Sequence, residues 1–208
     1  MLVRPNHPKH FPVRFNVIER QSDKTEPWEH SLKRQLPLLG HRNWIVVADS
    51  AYPAQANPGI ETIATAADHL EVLKATLDAI ENSRHVRANI FLDAEFKLVA
   101  EHDGPGVTRF RQKLARLIGN RETRVLEHDQ IIAKLDESAQ LFRVLILKST
   151  LAIPYTSVFL ELDCGYWTPE AEARLKLSMS RPSLAGAATE QISKRELGKR
   201  RESRGAKA

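Results

Sequence analysis

The run Trp44–Ala48, WIVVA, constrains this chain more than any other stretch. Five apolar residues in succession, three of them β-branched, describe a strand covered on both faces, because a strand with one wet face would alternate apolar with polar. Residues 88–92 (ANIFL), 142–147 (FRVLIL) and 157–162 (SVFLEL) have the same character, and 60–63 and 123–126 are shorter candidates. Helix-period patterns lie between them. Leu70, Leu73, Leu77 and Ile80 recur at i, i+3, i+7 and i+10, as do Val107, Phe110, Leu114 and Leu117. The second pattern stops at Gly119-Asn120, a pair suited to ending a helix. Residues 129–140 supply a further helix. Strands alternating with helices predict an α/β fold: a single three-layer domain whose mostly parallel central sheet is flanked by helices.

The flanks read differently. Residues 1–25 are rich in Pro and charge without periodicity and predict an irregular arm. Residues 27–39 predict a helix that leads into Gly40 as its stop. Thr168-Pro169-Glu170 combines a hydroxyl N-cap, Pro at the first helical position and an acidic first turn, so a helix is expected from there to about Leu177. The domain is thus expected over 26–180, with a basic tail from 181 to 208.

Charge looks like a hint of nucleic acid until it is located. The net +5 lies wholly in residues 181–208, which carry eight Lys/Arg against three Glu; the other 180 residues hold 23 basic and 23 acidic side chains. The expected domain is neutral, so nucleic acid is not expected as a partner beyond weak phosphate attraction through the tail, which lacks interleaved aromatics. No stretch approaches the roughly 20 apolar residues of a membrane span. The opening MLVRPNHPKHFPVRF has Pro and His where a signal peptide carries its apolar segment. The single Cys164 excludes an internal disulfide. A cytoplasmic setting is the expectation.

Cofactor signatures are missing: there is no G-x-G-x-x-G after a strand, no G-x-x-x-x-G-K, no H-E-x-x-H and no G-x-S-x-G. What remains is a set of polar residues at strand ends. His41 precedes the Trp44–Ala48 strand and Asp49 follows it; His128 follows the 123–126 strand; Tyr155 and Ser157 lead into the last one. Taken singly, each reads as structural: a loop histidine, a turn-forming Asp, a packed Tyr. Asp93 and Glu95 read first as a charged turn after a core strand. Cys164 and the nearby Tyr166 and Trp167, like Trp44, read as packing residues. A metal set of His41, His128 and Asp49 has suitable residue types but no supporting spacing. His41 and Asp49 also lie about 20–25 Å apart along an extended strand, at roughly 3.3 Å per residue.

Together these residues carry a resemblance. The stretch GHRNWIVVADSAYP, with His41, Asp49 eight residues on and then Pro53, resembles the opening motif of the RbsD/FucU family of D-ribose pyranases and L-fucose mutarotases. EHDQIIAKLDESAQLFRVL resembles that family's segment with a His ahead of a helix and a Glu-Ser pair nine residues later, here His128 and Glu137-Ser138. IPYTSVFLEL resembles its closing Pro-Tyr-x-Asn before a final strand, with Ser157 standing where the family usually has Asn. The similarity covers roughly residues 33–165.

The resemblance implies cofactor-free exchange of monosaccharide ring forms or anomers. His41 would be the general acid/base, and Asp49, His128, Tyr155 and Ser157 would contact the sugar. It also implies a homo-oligomer, a decamer-type ring with sites at subunit interfaces, which would dissolve the distance between His41 and Asp49. No metal or cofactor is implied. The alternative on the same scaffold is a catalytically weak sugar-binding or assembly module.

Overall fold

A computed structural model describes residues 27–180, and the N-terminal arm and basic tail expected from the sequence lie outside the described residues. The chain runs α1 (Trp28–Gln35), β1 (Trp44–Ala48), β2 (Ile60–Ala64), α2 (His69–Glu81), β3 (Val86–Asp93), α3 (Val107–Ile118), β4 (Thr123–Leu126), α4 (His128–Ala139), β5 (Val144–Lys148), β6 (Val158–Cys164) and α5 (Pro169–Ser180). One six-stranded sheet has the order β2-β5-β1-β6-β3-β4. β1, β2 and β5 pair in parallel, as do β3 and β4, while β6 runs antiparallel to both of its neighbours. Five strands therefore point one way and one points back.

The predicted elements appear with shifted ends. β1 has the expected bounds and is buried along its whole length, as its lack of alternation required. Its odd and even residues serve different layers. Ile45 and Val47 pack with α1, α2 and α3 through Leu32, Leu73, Leu77 and Phe110. Trp44, Val46 and Ala48 pack with α4 through Ile131, Leu135 and Ala139. This is the three-layer α/β architecture. Each fully buried aliphatic side chain contributes about 1.5–3 kcal/mol, so the two apolar layers pin the sheet's register and fix where its ends fall.

The helix expected over 27–39 stops earlier, at Gln35, and continues as a 3-10 turn over Leu36–Leu38. Pro37 has no N–H to donate to the preceding turn, which ends the α-helical pattern. α2 is capped by Asp68, whose carboxylate accepts from the N–H groups of Leu70 and Glu71. α3 ends at Gly119 with φ +62°, a conformation glycine adopts freely. α5 extends three residues past the expected Leu177 and buries none of its side chains among the described residues. Gly59 is dictated by a close approach: a Cβ there would lie 2.1 Å from the Ala139 carbonyl oxygen at the end of α4.

Candidate active site at the two edges of the sheet

β1, β3 and β4 end on one edge of the sheet, where an open α/β sheet forms its ligand crevice. Because β6 runs backwards, it begins there too, with Val158 opposite Val47. Topology thus gathers Asp49, His128 and the Tyr155–Ser157 turn, three places far apart in sequence. Asp49, Tyr52, Gln55, His128, Pro154 and Tyr155 line a cleft of about 420 Å³.

Each side chain is held by its own local device. Asp49 closes a turn through Oδ1, which accepts from the Ala51 N–H at 2.9 Å. The Ser157 hydroxyl donates to Asp49 Oδ2 at 2.9 Å and accepts from the Asp49 N–H at 3.2 Å. Ser157 is buried, so it braces Asp49 from behind and both of its hydrogen-bonding functions are engaged there. Tyr155 has φ +58°, a left-handed backbone uncommon for a residue with a side chain. The adjoining turn is locked by the Thr156 hydroxyl, which donates to the Ile153 carbonyl at 2.7 Å. That geometry leaves Tyr155 40% exposed, with its ring edge-on to His128 at 5.6 Å between centroids. Tyr52 is a mostly buried part of the cleft wall; burial, then the negative charges of Asp136 and Asp93, push its phenol up to about 12.

The end of β3 and the turn after it hold the two carboxylates that the sequence suggested were a charged turn. Asp93 and Glu95 both hold His128. Glu95 accepts from the His128 N–H with both carboxylate oxygens at 3.1 Å, capping the start of α4. His128 Nδ1 lies 3.1 Å from Asp93 Oδ2, within hydrogen-bonding distance. Asp93 is buried, and burial pushes its carboxyl up to about 6 against the pull of His128. Arg111 from α3 braces this segment, donating to the Phe96 carbonyl at 2.8 Å and to that of Val99, with its guanidinium over the Phe96 ring.

His69 escapes sequence reasoning altogether. It opens α2 and is fully buried, edge-on to Phe110 at 5.5 Å. His69 Nδ1 lies 2.9 Å from Ser149 Oγ, whose hydroxyl also lies 2.9 Å from the Ala48 carbonyl. Nε2 is buried without a hydrogen bond of normal geometry, and burial pulls the imidazole down to about 4 in spite of the nearby Asp49 and Asp68 and the Thr156 backbone. No local pattern signals this, because a His after an N-cap Asp ordinarily faces water.

His41 lies at the other edge. It sits in a turn over residues 40–43, closed by the Asn43 N–H donating to the Gly40 carbonyl at 3.0 Å, with Arg42 at φ +73°. Its Nδ1 donates to Asp163 Oδ1 at 2.8 Å, and Arg87 grips Asp163 Oδ2 at 2.5 and 3.1 Å. Partial burial raises the Asp163 pKa, but the hydrogen bonds from Arg87, the Cys164 N–H and His41 outweigh it and hold the carboxyl below the ordinary range. The Ser138 hydroxyl donates to the Arg42 carbonyl at 2.8 Å, so the Glu137-Ser138 pair ties α4 to the turn that carries His41. His41 is 59% exposed and lines a different cleft, of about 710 Å³, with Arg87, Asp163, Tyr166 and Trp167. Within one chain, then, Asp49, His128, Tyr155 and Ser157 come together and His41 does not join them. Among the described residues, no group of three or more His, Cys, Asp or Glu side chains is arranged to hold a metal ion.

No family model matches the sequence, and no curated protein matches it. Solved structures do resemble it in fold. Bacillus subtilis RbsD in complex with D-ribose is 18% identical, with a TM-score of 0.47 over 64% of this chain and 91% of that one. The fucose mutarotase of Streptococcus pneumoniae in complex with L-fucose is 16% identical, with a TM-score of 0.44 over 67% and 97%. FucU from Bifidobacterium longum is 17% identical, with a TM-score of 0.42 over 64% and 94%.

Proposed function

We propose that this protein is a cofactor-free monosaccharide mutarotase or pyranase-like isomerase. Exchanging ring forms opens a hemiacetal and closes it again. The anomeric hydroxyl loses its proton, a carbonyl forms, the bond from the anomeric carbon to the ring oxygen breaks, and that oxygen takes up a proton; closure reverses every step. A His is suited to this work because its unperturbed pKa of about 6.5 lets it give and take a proton near neutrality. In this reading His41 is the general acid/base. Asp49 accepts from sugar hydroxyls, and His128 and Tyr155 fix the ring between them.

The observation that carries this reading is the convergence of Asp49, His128 and Tyr155 on one cleft. Because His41 stands at the opposite edge of the sheet, the complete site joins two copies of the chain, and the working protein is a homo-oligomer. One observation favours the alternative of a sugar-binding module without efficient turnover: the Ser157 hydroxyl is fully engaged with Asp49.

Exchange NMR on a panel of equilibrating sugars that includes D-ribose and L-fucose tests the reading, with the unmodified protein run beside His41→Ala. Faster ring or anomer exchange that collapses in the variant is the expected result. Binding without acceleration moves the assignment to the sugar-binding module, and no binding to any sugar overturns both.

A further inference from the structure

We propose that Asp93 is the positioning residue of the His128 half-site: its buried carboxylate holds the imidazole in the Nδ1–H form, so that Nε2 offers a lone pair to a sugar hydroxyl. This rests on the reading of His128 as a sugar contact.

The geometry around the ring supports it from several sides. The backbone of His128 is fixed by the two-oxygen cap from Glu95. The ring is flanked by Tyr155 and by Phe159, with centroids 5.6 and 6.4 Å away. Nδ1 is committed to Asp93 Oδ2. Nε2 has no hydrogen-bond partner among the described residues, and the ring lines the cleft. A carboxylate accepts but cannot donate, so in the neutral imidazole the proton must sit on Nδ1 and the lone pair on Nε2. An outer carboxylate that orients a working His is a recurrent device wherever one nitrogen of the ring must face a ligand.

Asp93 is poorly explained as a structural residue. Its side chain is 0% exposed, and Oδ1 is buried without a partner. Leaving a buried polar atom unpaired is destabilising, and burying a carboxylate is more so. An Asn could hold the same shape without a charge. What the carboxylate adds is a fixed tautomer on a ring that is 33% exposed at the cleft.

The test is the tautomer itself, read from long-range 15N–1H correlations of ring-labelled protein at pH 8, with His128 assigned by its loss in His128→Gln. The unmodified protein is expected to show His128 as Nδ1–H. Asp93→Asn is expected to shift it toward Nε2–H and to lower the acceleration of sugar exchange at least tenfold. An Nε2–H imidazole in the unmodified protein overturns the inference without any variant, and therefore even if the Asn chain fails to fold. A tautomer unmoved by the substitution overturns it as well, and so does a moved tautomer with undiminished exchange. If no sugar is exchanged by the unmodified protein, the isomerase reading fails and this role with it. The tautomer then separately reports whether Asp93 holds the ring.

Discussion

Replacing His69 by Asn should make the protein less sensitive to acid. In the folded chain burial holds this imidazole near 4, against 6.5 for the free side chain. A His with a depressed folded pKa stays neutral in the native state while the unfolded chain protonates. Its contribution is therefore fully present above pH 6.5 and is lost as the pH falls toward 4. Between pH 7 and pH 5 the loss amounts to about 2 kcal/mol. Asp93 works in the opposite direction. With its carboxyl raised from 3.8 to about 6, the folded state takes up a proton that the unfolded chain declines, which restores about 1 kcal/mol over the same interval. His69→Asn removes only the first effect. Whatever the substitution costs at pH 7 through lost packing on Phe110, the difference between variant and unmodified protein should move by about 2 kcal/mol in the variant's favour at pH 5. Urea unfolding at both pH values, at one protein concentration, measures this difference, and equal m-values show that the comparison is fair. A difference that does not change with pH would refute the reasoning, since it would mean that the folded interior accepts the proton.

Three further outcomes are expected. Tyr155→Gly should relieve a left-handed backbone that costs roughly 1–2 kcal/mol, so thermal stability should hold or rise while sugar affinity measured by titration falls. Gly59→Ala should destabilise by about 2–3 kcal/mol in denaturant unfolding, because its Cβ would press on the carbonyl at the end of α4 rather than on a side chain able to move. Arg87→Ala removes the grip on Asp163, so the His41 ring loses its fixed orientation, and exchange NMR should show slower turnover with little change in the unfolding midpoint.

The core was legible because it answers to short-range rules. β1 could be bounded from five residues, since a strand buried on both faces has no polar position to blur it. The helices with leucine at helical spacing were equally open to reading. Strand ends were less so: β3 begins at Val86 and β5 at Val144, and pairing with β6 and β1 decides those limits. The separation of His41 from Asp49 followed from strand length alone. The roles of Asp93 and Glu95 did not, because their partner His128 lies about 35 positions further on and only the parallel pairing of β3 with β4 brings the two together. His69 was hidden for a related reason. Its neighbours in sequence suggest a wet helix start, whereas Ser149 and Phe110, which enclose it, come from distant segments.

The reversed strand β6 makes the molecule divisible in an unusual sense. It begins at the edge that carries Asp49 and ends at the edge that carries His41, where Asp163 stands. On the proposed function, a chain damaged at His41 keeps a sound half at its other edge, and a chain damaged at Asp49 keeps the complementary one. If copies complete each other's sites, two inactive preparations, His41→Ala and Asp49→Ala, unfolded together and reassembled in equal amounts should rescue one another. Random assortment would leave roughly a quarter of the junctions with both halves intact. Activity reappearing from two dead parents would reveal, without any image of the assembly, that each catalytic centre belongs to a pair of chains and to neither alone.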